Sequence, residues 1–340
     1  MPSCTKKSRF RFILLGIIVV LMVGSPQQEL HADDRVPYFV REWGPEGSGI
    51  GQLAFPWGIT HDQNGDLVIA DTRNRRIQIY DIDGNFLRGW PLAETPTTLD
   101  VVSSDVAVAA NGDIYVVDPG TTHVQRYTST GAFLGSWGQE GTEPQEFLSP
   151  AAIALDSEGN VYITDPSNAA IKIFTSTGDF ITSWENGVGG AIFEQPIGIT
   201  IGHDGYAYVT DIALSTESVQ KFTLDGQLVT RWGGFGTLLE QFKTPLATSM
   251  DVNGDVWVID HHNFRIQKFT SDGVFLCAFG ERGREDGQLV DPISMTILDE
   301  GDLFITDFAN DGMVQHFRIP NGTAVESTSW SQVKRLFRAP

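Results

Sequence analysis

Residues 245–280 read PLATSMDVNGDVWVIDHHNFRIQKFTSDGVFLCAFG, and this stretch decides the fold. It consists of four short, largely apolar runs, with tight turns at Gly254 and Gly273 and a polar turn after Asp260. Each run has the length of a β-strand, and glycine accepts the positive φ that a tight hairpin requires. The stretch therefore predicts one four-stranded antiparallel sheet.

The same pattern occurs six times, at a period of 46 to 49 residues. Every copy has a glycine in its first turn and an aspartate six residues later: Asp71, Asp118, Asp165, Asp211, Asp260 and Asp307. Such a unit cannot bury its faces alone, and six units arranged radially close into a ring. We therefore predict an all-β fold, a six-bladed β-propeller of four-stranded antiparallel blades.

The segment 38–44 has the pattern of a fourth strand with no blade before it. Its Trp43 lies 13 residues before Pro56, the same spacing as Trp137 from Pro150 and Trp232 from Pro245. We predict that this N-terminal strand pairs with the third strand of the last unit, at 314–319, and closes the ring, which hides a sheet edge. The stretch 323–330 is the alternative, but its tryptophan is displaced by two residues.

The first residues have the pattern of a targeting sequence. Four basic residues precede the apolar run 12–23, which is shorter than the about 20 residues of a membrane span. This predicts a signal peptide at 1–32, with an uncleaved N-terminal anchor as the alternative. Both place the propeller, residues 33–322, in the periplasm or outside the cell, with no membrane insertion of the mature domain. Residues 323–340 are predicted to form a C-terminal tail.

Charge restricts the class of partner. The chain has 43 acidic and 23 basic residues, a net charge of −20, and without residues 1–32 the net charge is −23. A strongly acidic chain repels polyphosphates, and nucleic-acid binding depends on Lys and Arg at phosphates. We therefore expect no nucleic-acid partner, and we expect a monomer.

Two turn sequences indicate a family. DTRNRRIQ at 71–78 and DHHNFRIQ at 260–267 resemble the signature of NHL repeats, as does the connector at 43–53. The resemblance covers residues 38–322 and implies a six-bladed β-propeller. NHL propellers serve as protein-binding platforms, RNA-binding domains, extracellular sensors and, in one branch, an amidating lyase. The resemblance therefore does not choose a function.

The six repeated aspartates allow two interpretations. A carboxylate at a strand end bonds the backbone of the following turn, or six carboxylates around a channel hold a cation. Because all six units carry the residue, we interpret it as structural. We expect no cofactor, with zinc or calcium as the alternative.

Loops between the second and third strands vary between units, and variation on a fixed scaffold is typical of a binding surface. We predict that a protein, peptide or glycan binds on this loop face. The candidate residues are Arg73, Arg75, His123, Asn168, His261, His262, Phe264 and Asp311. For each of them, a solvated loop residue without a role is the alternative.

Catalysis has no candidate residue in the sequence. The amidating lyase is similar in carrying histidines at the start of innermost strands, whereas the residues after the prolines are here Trp57, Ala151, Ile197, Leu246 and Ile293. We therefore expect a non-catalytic binding scaffold. The alternative is a metal-dependent lyase or hydrolase with its site at the channel mouth.

Overall fold

The structure of the chain is a computed structural model that describes residues 36–93, 105–185, 187–190, 193–212, 217–308 and 312–320. Within these ranges, 24 strands form six four-stranded antiparallel sheets. The predicted all-β, six-bladed propeller is confirmed. The predicted signal peptide, the C-terminal tail and the candidate Asp311 lie outside the described residues.

Each blade places its first strand at the central channel and its fourth strand at the rim. Blade one consists of β2 (Pro56–His61), β3 (Leu67–Asp71), β4 (Arg76–Tyr80) and β5 (Phe86–Pro91). Blade two consists of β6 (Asp105–Val108), β7 (Ile114–Asp118), β8 (His123–Tyr127) and β9 (Phe133–Trp137). Blade three consists of β10 (Ile153–Leu155), β11 (Val161–Asp165), β12 (Ala170–Phe174) and β13 (Phe180–Glu185).

The second half of the ring repeats this order. Blade four consists of β14 (Pro196–Ile201), β15 (Tyr206–Asp211), β16 (Ser218–Thr223) and β17 (Leu228–Gly233). Blade five consists of β18 (Pro245–Met250), β19 (Val256–Asp260), β20 (Arg265–Phe269) and β21 (Phe275–Phe279). Blade six consists of β22 (Pro292–Ile297), β23 (Asp302–Asp307), β24 (Gly312–Arg318) and the N-terminal β1 (Tyr38–Pro45).

The fourth strand of blade six comes from the start of the described chain. β1 runs antiparallel to β24, with Tyr38 opposite Arg318 and Trp43 opposite Val314. The pairing covers an edge of β24 that would otherwise carry free backbone donors and acceptors. The N-terminal segment and the last unit of the repeat are therefore joined in one sheet.

Neighbouring blades are held together by apolar side chains. Six hydrophobic clusters each combine residues of two adjacent blades. A fourth-strand tryptophan also packs on a turn glycine of the next blade; a Cβ added to Gly131, at φ +89, would lie 2.5 Å from Trp90. Glycine is required there because it allows both the left-handed backbone and the close approach. The equivalent pairs are Trp43–Gly84, Trp137–Gly178, Trp184–Gly226 and Trp232–Gly273.

Turns between second and third strands form one face of the ring. In blades one, three and five each turn is a short 3-10 helix: Thr72–Asn74, Pro166–Asn168 and His261–Asn263. These turns, and the connectors that precede the innermost strands, are called the loop face. In the described ranges, no helix is long and apolar enough to cross a membrane.

Candidate binding site on the loop face

The repeated aspartates bond a different segment from the one expected. Asp71 accepts the backbone N–H of Ala54 at 2.7 Å, and Asp260 accepts that of Lys243 at 2.7 Å. Asp165, Asp211 and Asp307 likewise accept N–H groups 16 or 17 residues earlier. Among the described residues, Asp118 makes the expected bond to the backbone of the following turn, because it accepts the N–H of Gly120 at 3.1 Å.

The physical reason is that the following turn satisfies itself. The N–H of Arg75 donates to the carbonyl of Thr72, and the 3-10 turn takes no cap from the side chain of Asp71. The carboxylate is then available to the connector that enters the innermost strand. It also accepts Arg76 Nε at 2.6 Å and Gln78 Nε2 at 3.0 Å. Asp71, Asp165, Asp260 and Asp307 therefore tie the preceding connector, the turn or third strand, and the end of the second strand together. Asp211 bonds the preceding connector in the same way.

Asn168 is part of this structural network. Its amide donates to Asp165 Oδ2 at 2.7 Å and to the carbonyl of Gly141 at 3.3 Å. Asn263 makes the equivalent bonds to Asp260 and Gly236. Both donors of the Asn168 amide are used within the fold, so its contacts account for the residue without a ligand.

The two candidate arginines of blade one have different environments. Arg73 is exposed, and its guanidinium lies 5.4 Å from the ring centre of Phe55. Arg75 reaches across to blade two and pairs with Asp118, whose side chain is 2% exposed, at 3.3 Å. Arg73 is therefore available to a ligand, whereas Arg75 compensates a buried charge.

This difference predicts unequal effects on stability. Arg75→Ala should lower the free energy of unfolding by about 1–2 kcal/mol, because a buried carboxylate loses a charged hydrogen-bond donor. Arg73→Ala should change it by less than about 0.5 kcal/mol, as exposed loop substitutions usually do. Urea unfolding of the two variants measures both values. Equal stability of the two variants would contradict the assigned roles.

The candidate histidines of blade five lie at the boundary with blade six. His261 Nδ1 lies 3.0 Å from the carbonyl of Pro292, and its Nε2 lies 3.2 Å from Asp291 Oδ1. His262 Nδ1 lies 2.7 Å from Thr244 Oγ1, and the two rings are 4.4 Å apart. The N–H of Thr244 donates to Glu217, a buried acid whose pKa is raised by that burial. His261 therefore contributes to blade contacts, and His262 is the more exposed of the two.

The other candidates are dispersed. Phe264 has a left-handed backbone (φ 55), and its ring lies 5.0 Å from the guanidinium of Arg282. His123 begins β8, and its Nδ1 contacts the carbonyl of Thr121. Blade six separates the blade-five group from Arg73, so the structure does not bring the candidate residues together at one point.

The channel holds a carboxylate that the sequence analysis did not single out. The first strands of all six blades line a cavity of about 430 Å³. Asp105 lies at its wall, on blade two, and its Oδ2 accepts the N–H of Ile153 of blade three at 3.0 Å. Burial, opposed by hydrogen bonds from the backbone of Ile153 and Val106, raises the pKa of Asp105 to about 6. Among the described residues, no cation pairs with it.

Asp105 occupies a position that is small in every other blade. The equivalent residues, two after the proline, are Gly58, Ala152, Gly198, Ala247 and Ser294. A Cβ added to Gly58 would lie 2.5 Å from Asp105 Oδ1, so this oxygen lies directly against blade one. Comparing the six first strands position by position would have found the acid.

A second missed feature is an aromatic cluster formed by Phe55, Trp57 and Phe308. Phe308 lies 4.9 Å from Phe55 and 5.8 Å from Trp57, between ring centres. The side chain of Phe55 is 37% exposed, and its φ is +51 although a proline follows. The residue before a proline normally has an extended backbone. Phe308 is distant in sequence from Phe55 and Trp57, and the three meet because blades six and one adjoin where the ring closes.

Comparison with known proteins supports the repeat assignment. The NHL repeat family matches residues 53–80 and 242–269. Protein lin-41 of Caenorhabditis elegans is 56% identical over 45 residues, which are 13% of this chain and 4% of that protein. E3 ubiquitin-protein ligase TRIM71 of Rattus norvegicus is 43% identical over 47 residues, 14% of this chain and 6% of that protein. The chain thus matches only a small part of these relatives' length.

Solved structures agree in fold. A streptogramin B lyase structure superposes with a TM-score of 0.60 at 15% identity, covering 84% of this chain and 99% of the other. Identity at this level shows a shared fold and does not transfer an activity. The chain carries NHL repeats and folds as a six-bladed β-propeller.

Proposed function

We propose that the protein is an exported, non-catalytic scaffold that binds a protein, peptide or glycan on its loop face. The aromatic cluster of Phe55, Trp57 and Phe308 carries this proposal. Phe55 keeps a large apolar side chain partly exposed in a left-handed backbone, and such a conformation costs about 1–3 kcal/mol. The same left-handed backbone recurs at Thr244, before the proline of blade five, so the exposed aromatic ring and not the backbone distinguishes Phe55.

The chemistry of the cluster suits a macromolecular partner. Aromatic side chains and arginine are enriched in protein interfaces, where a few of them supply most of the binding energy. Arg73 lies over Phe55 and adds a cation beside the aromatic surface. The flat apolar rings would accept an apolar side chain or the apolar face of a sugar.

Two further observations support parts of the proposal. The basic residues and apolar run at the start of the chain support export to the periplasm or the cell exterior. TRIM71, which matches over one repeat, is named an E3 ubiquitin-protein ligase, an activity on proteins. That name supports a protein partner for this propeller.

A metal-dependent lyase or hydrolase at the channel mouth is the second candidate, and Asp105 favours it. A carboxyl with a pKa near 6 in a cavity is typical of an acid or base catalyst. Zinc or calcium would be the cofactor, but among the described residues no group of three or more His, Cys, Asp or Glu side chains is placed to hold either ion. Metal analysis of the purified protein distinguishes the two functions, because only the enzyme requires a stoichiometric ion.

The scaffold proposal predicts the result of a substitution in the aromatic cluster. The double variant Phe55→Ala, Phe308→Ala should capture at least ten-fold less partner from the native compartment than the wild type does. The reason is that the exposed rings would provide the contact surface. Quantitative affinity capture on immobilised protein measures the loss.

The control is the double variant Phe133→Ala, Leu134→Ala. These side chains are also about half exposed, but they lie on the fourth strand of blade two, at the rim. We expect this variant to retain the partner. Loss of the same partner from both variants, or from neither, would contradict the assignment of the binding surface.

A further inference from the structure

The strongest unassigned feature is the combination of Asp105 with the apolar start of the channel. Trp57, Ile197, Leu246 and Ile293 line the channel and immediately follow the strand-initial prolines, so they lie at the loop-face end. Asp105 is one position further in, on blade two. Within the described part of the chain, the channel mouth thus combines apolar walls with the carboxylate of Asp105.

We propose that this mouth binds the lysine side chain of a basic segment in the protein or peptide partner. The inference rests on the proposed function, because the segment is presented by a partner bound on the loop face. Trp57 belongs to both the aromatic cluster and the channel lining. A partner on the cluster can therefore extend a side chain into the mouth.

The geometry of Asp105 selects the ammonium group. Its Oδ2 already accepts the N–H of Ile153, the backbone of Val106 also hydrogen-bonds the carboxylate, and its Oδ1 lies against Gly58, so at most one oxygen is left for a ligand. An arginine fork needs two oxygens for its preferred bidentate contact, whereas an ammonium is a compact point charge that one oxygen can satisfy. Trp57, which lines the same mouth, is of the residue type whose ring attracts cations most strongly. The ring of Trp57 attracts either cation, so the preference for lysine over arginine rests on the carboxylate geometry.

The aliphatic part of the lysine side chain and the net charge of the propeller chain also favour a lysine ligand. The four methylene groups of lysine pack well along apolar walls while the ammonium reaches a polar group. The cavity of about 430 Å³ is within the range of ligand sites. The net charge of −20 raises the local concentration of basic partners.

The test is an NMR titration of the purified propeller with acetyl-Gly-Lys-Gly-amide, whose blocked ends leave the side chain as the sole cation. Matched peptides replace lysine by norleucine, which lacks the charge, or by arginine. We expect the norleucine peptide to bind at least ten-fold more weakly than the lysine peptide, and the arginine peptide to bind several-fold more weakly. Equal binding of either peptide would overturn the inference.

Variants locate the site. Asp105→Asn should weaken lysine-peptide binding at least ten-fold, since the amide oxygen can still accept from Ile153 but the charge is lost. Asp299→Asn is the matched control, because Asp299 lines the same channel near the opposite face. It should leave binding unchanged. If Asp299→Asn weakened peptide binding and Asp105→Asn did not, the assignment of the site to Asp105 would be overturned. If Asp105→Asn does not fold, the comparison of the three peptides on the wild-type protein decides the inference.

The outcome also separates this inference from the proposed function. If the lysine peptide does not bind while capture of the native partner still depends on Phe55 and Phe308, the lysine inference fails and the scaffold stands. If capture is independent of those two residues, the scaffold proposal fails whatever the peptide does.

Discussion

Deletion of residues 33–44 is expected to destabilise the entire ring by several kcal/mol. The deletion removes most of β1 and its antiparallel pairing with β24. It also removes the contact of Phe39 with Phe317 and the packing of Trp43 on Gly84 of blade one. A loss of this size is comparable to the whole stability of a typical domain, about 5–15 kcal/mol. Thermal and urea unfolding of the chain starting at residue 33 provide the reference.

The control deletion removes residues 325–340 from the other end of the chain. We expect little change in the unfolding midpoint, because the fourth strand of blade six is supplied by β1. A larger loss of stability from this deletion than from the N-terminal one would show that closure depends on the C-terminal segment.

Asp260→Ala is expected to cost about 3–5 kcal/mol, the range for removing one partner of a buried ion pair. The side chain of Asp260 is fully buried and accepts from the backbone of Lys243, from Arg265 and from Gln267. Alanine would leave these donors without their acceptor, including the guanidinium of Arg265, which is 13% exposed. Urea unfolding measures the loss.

Two control variants test whether the loss of stability comes from the buried hydrogen bonds of Asp260. Asp118→Ala should cost less, because Asp118 accepts from Gly120 and from the partly exposed Arg75. Asp286→Ala, at an exposed position of the connector between blades five and six, should have almost no effect. If Asp286→Ala were as damaging as Asp260→Ala, the cost would come from total charge and not from the buried hydrogen bonds.

The candidate site was less predictable than the scaffold. Arg73, an exposed loop residue, is the member of the predicted set that contacts the aromatic cluster. Asn168 and Arg75 are residue types that are common in binding loops, but their side-chain donors bond carboxylates of the propeller itself. Asp105 differs from its five equivalents in type, so the sequence contains a signal for it. The cluster of Phe55 and Phe308 has no local signal, because its members are 253 residues apart in the chain.

The sequence by itself determined the number of blades, the order of strands within each blade and the origin of the closing strand. These properties follow from local periodicity: glycine turns, alternating strands and repeated spacing act within one unit of 46 to 49 residues. The tertiary structure decided which polar side chains are free and which are satisfied. That outcome depends on contacts between connectors, neighbouring blades and the two ends of the ring, and such contacts leave no periodic trace in the chain.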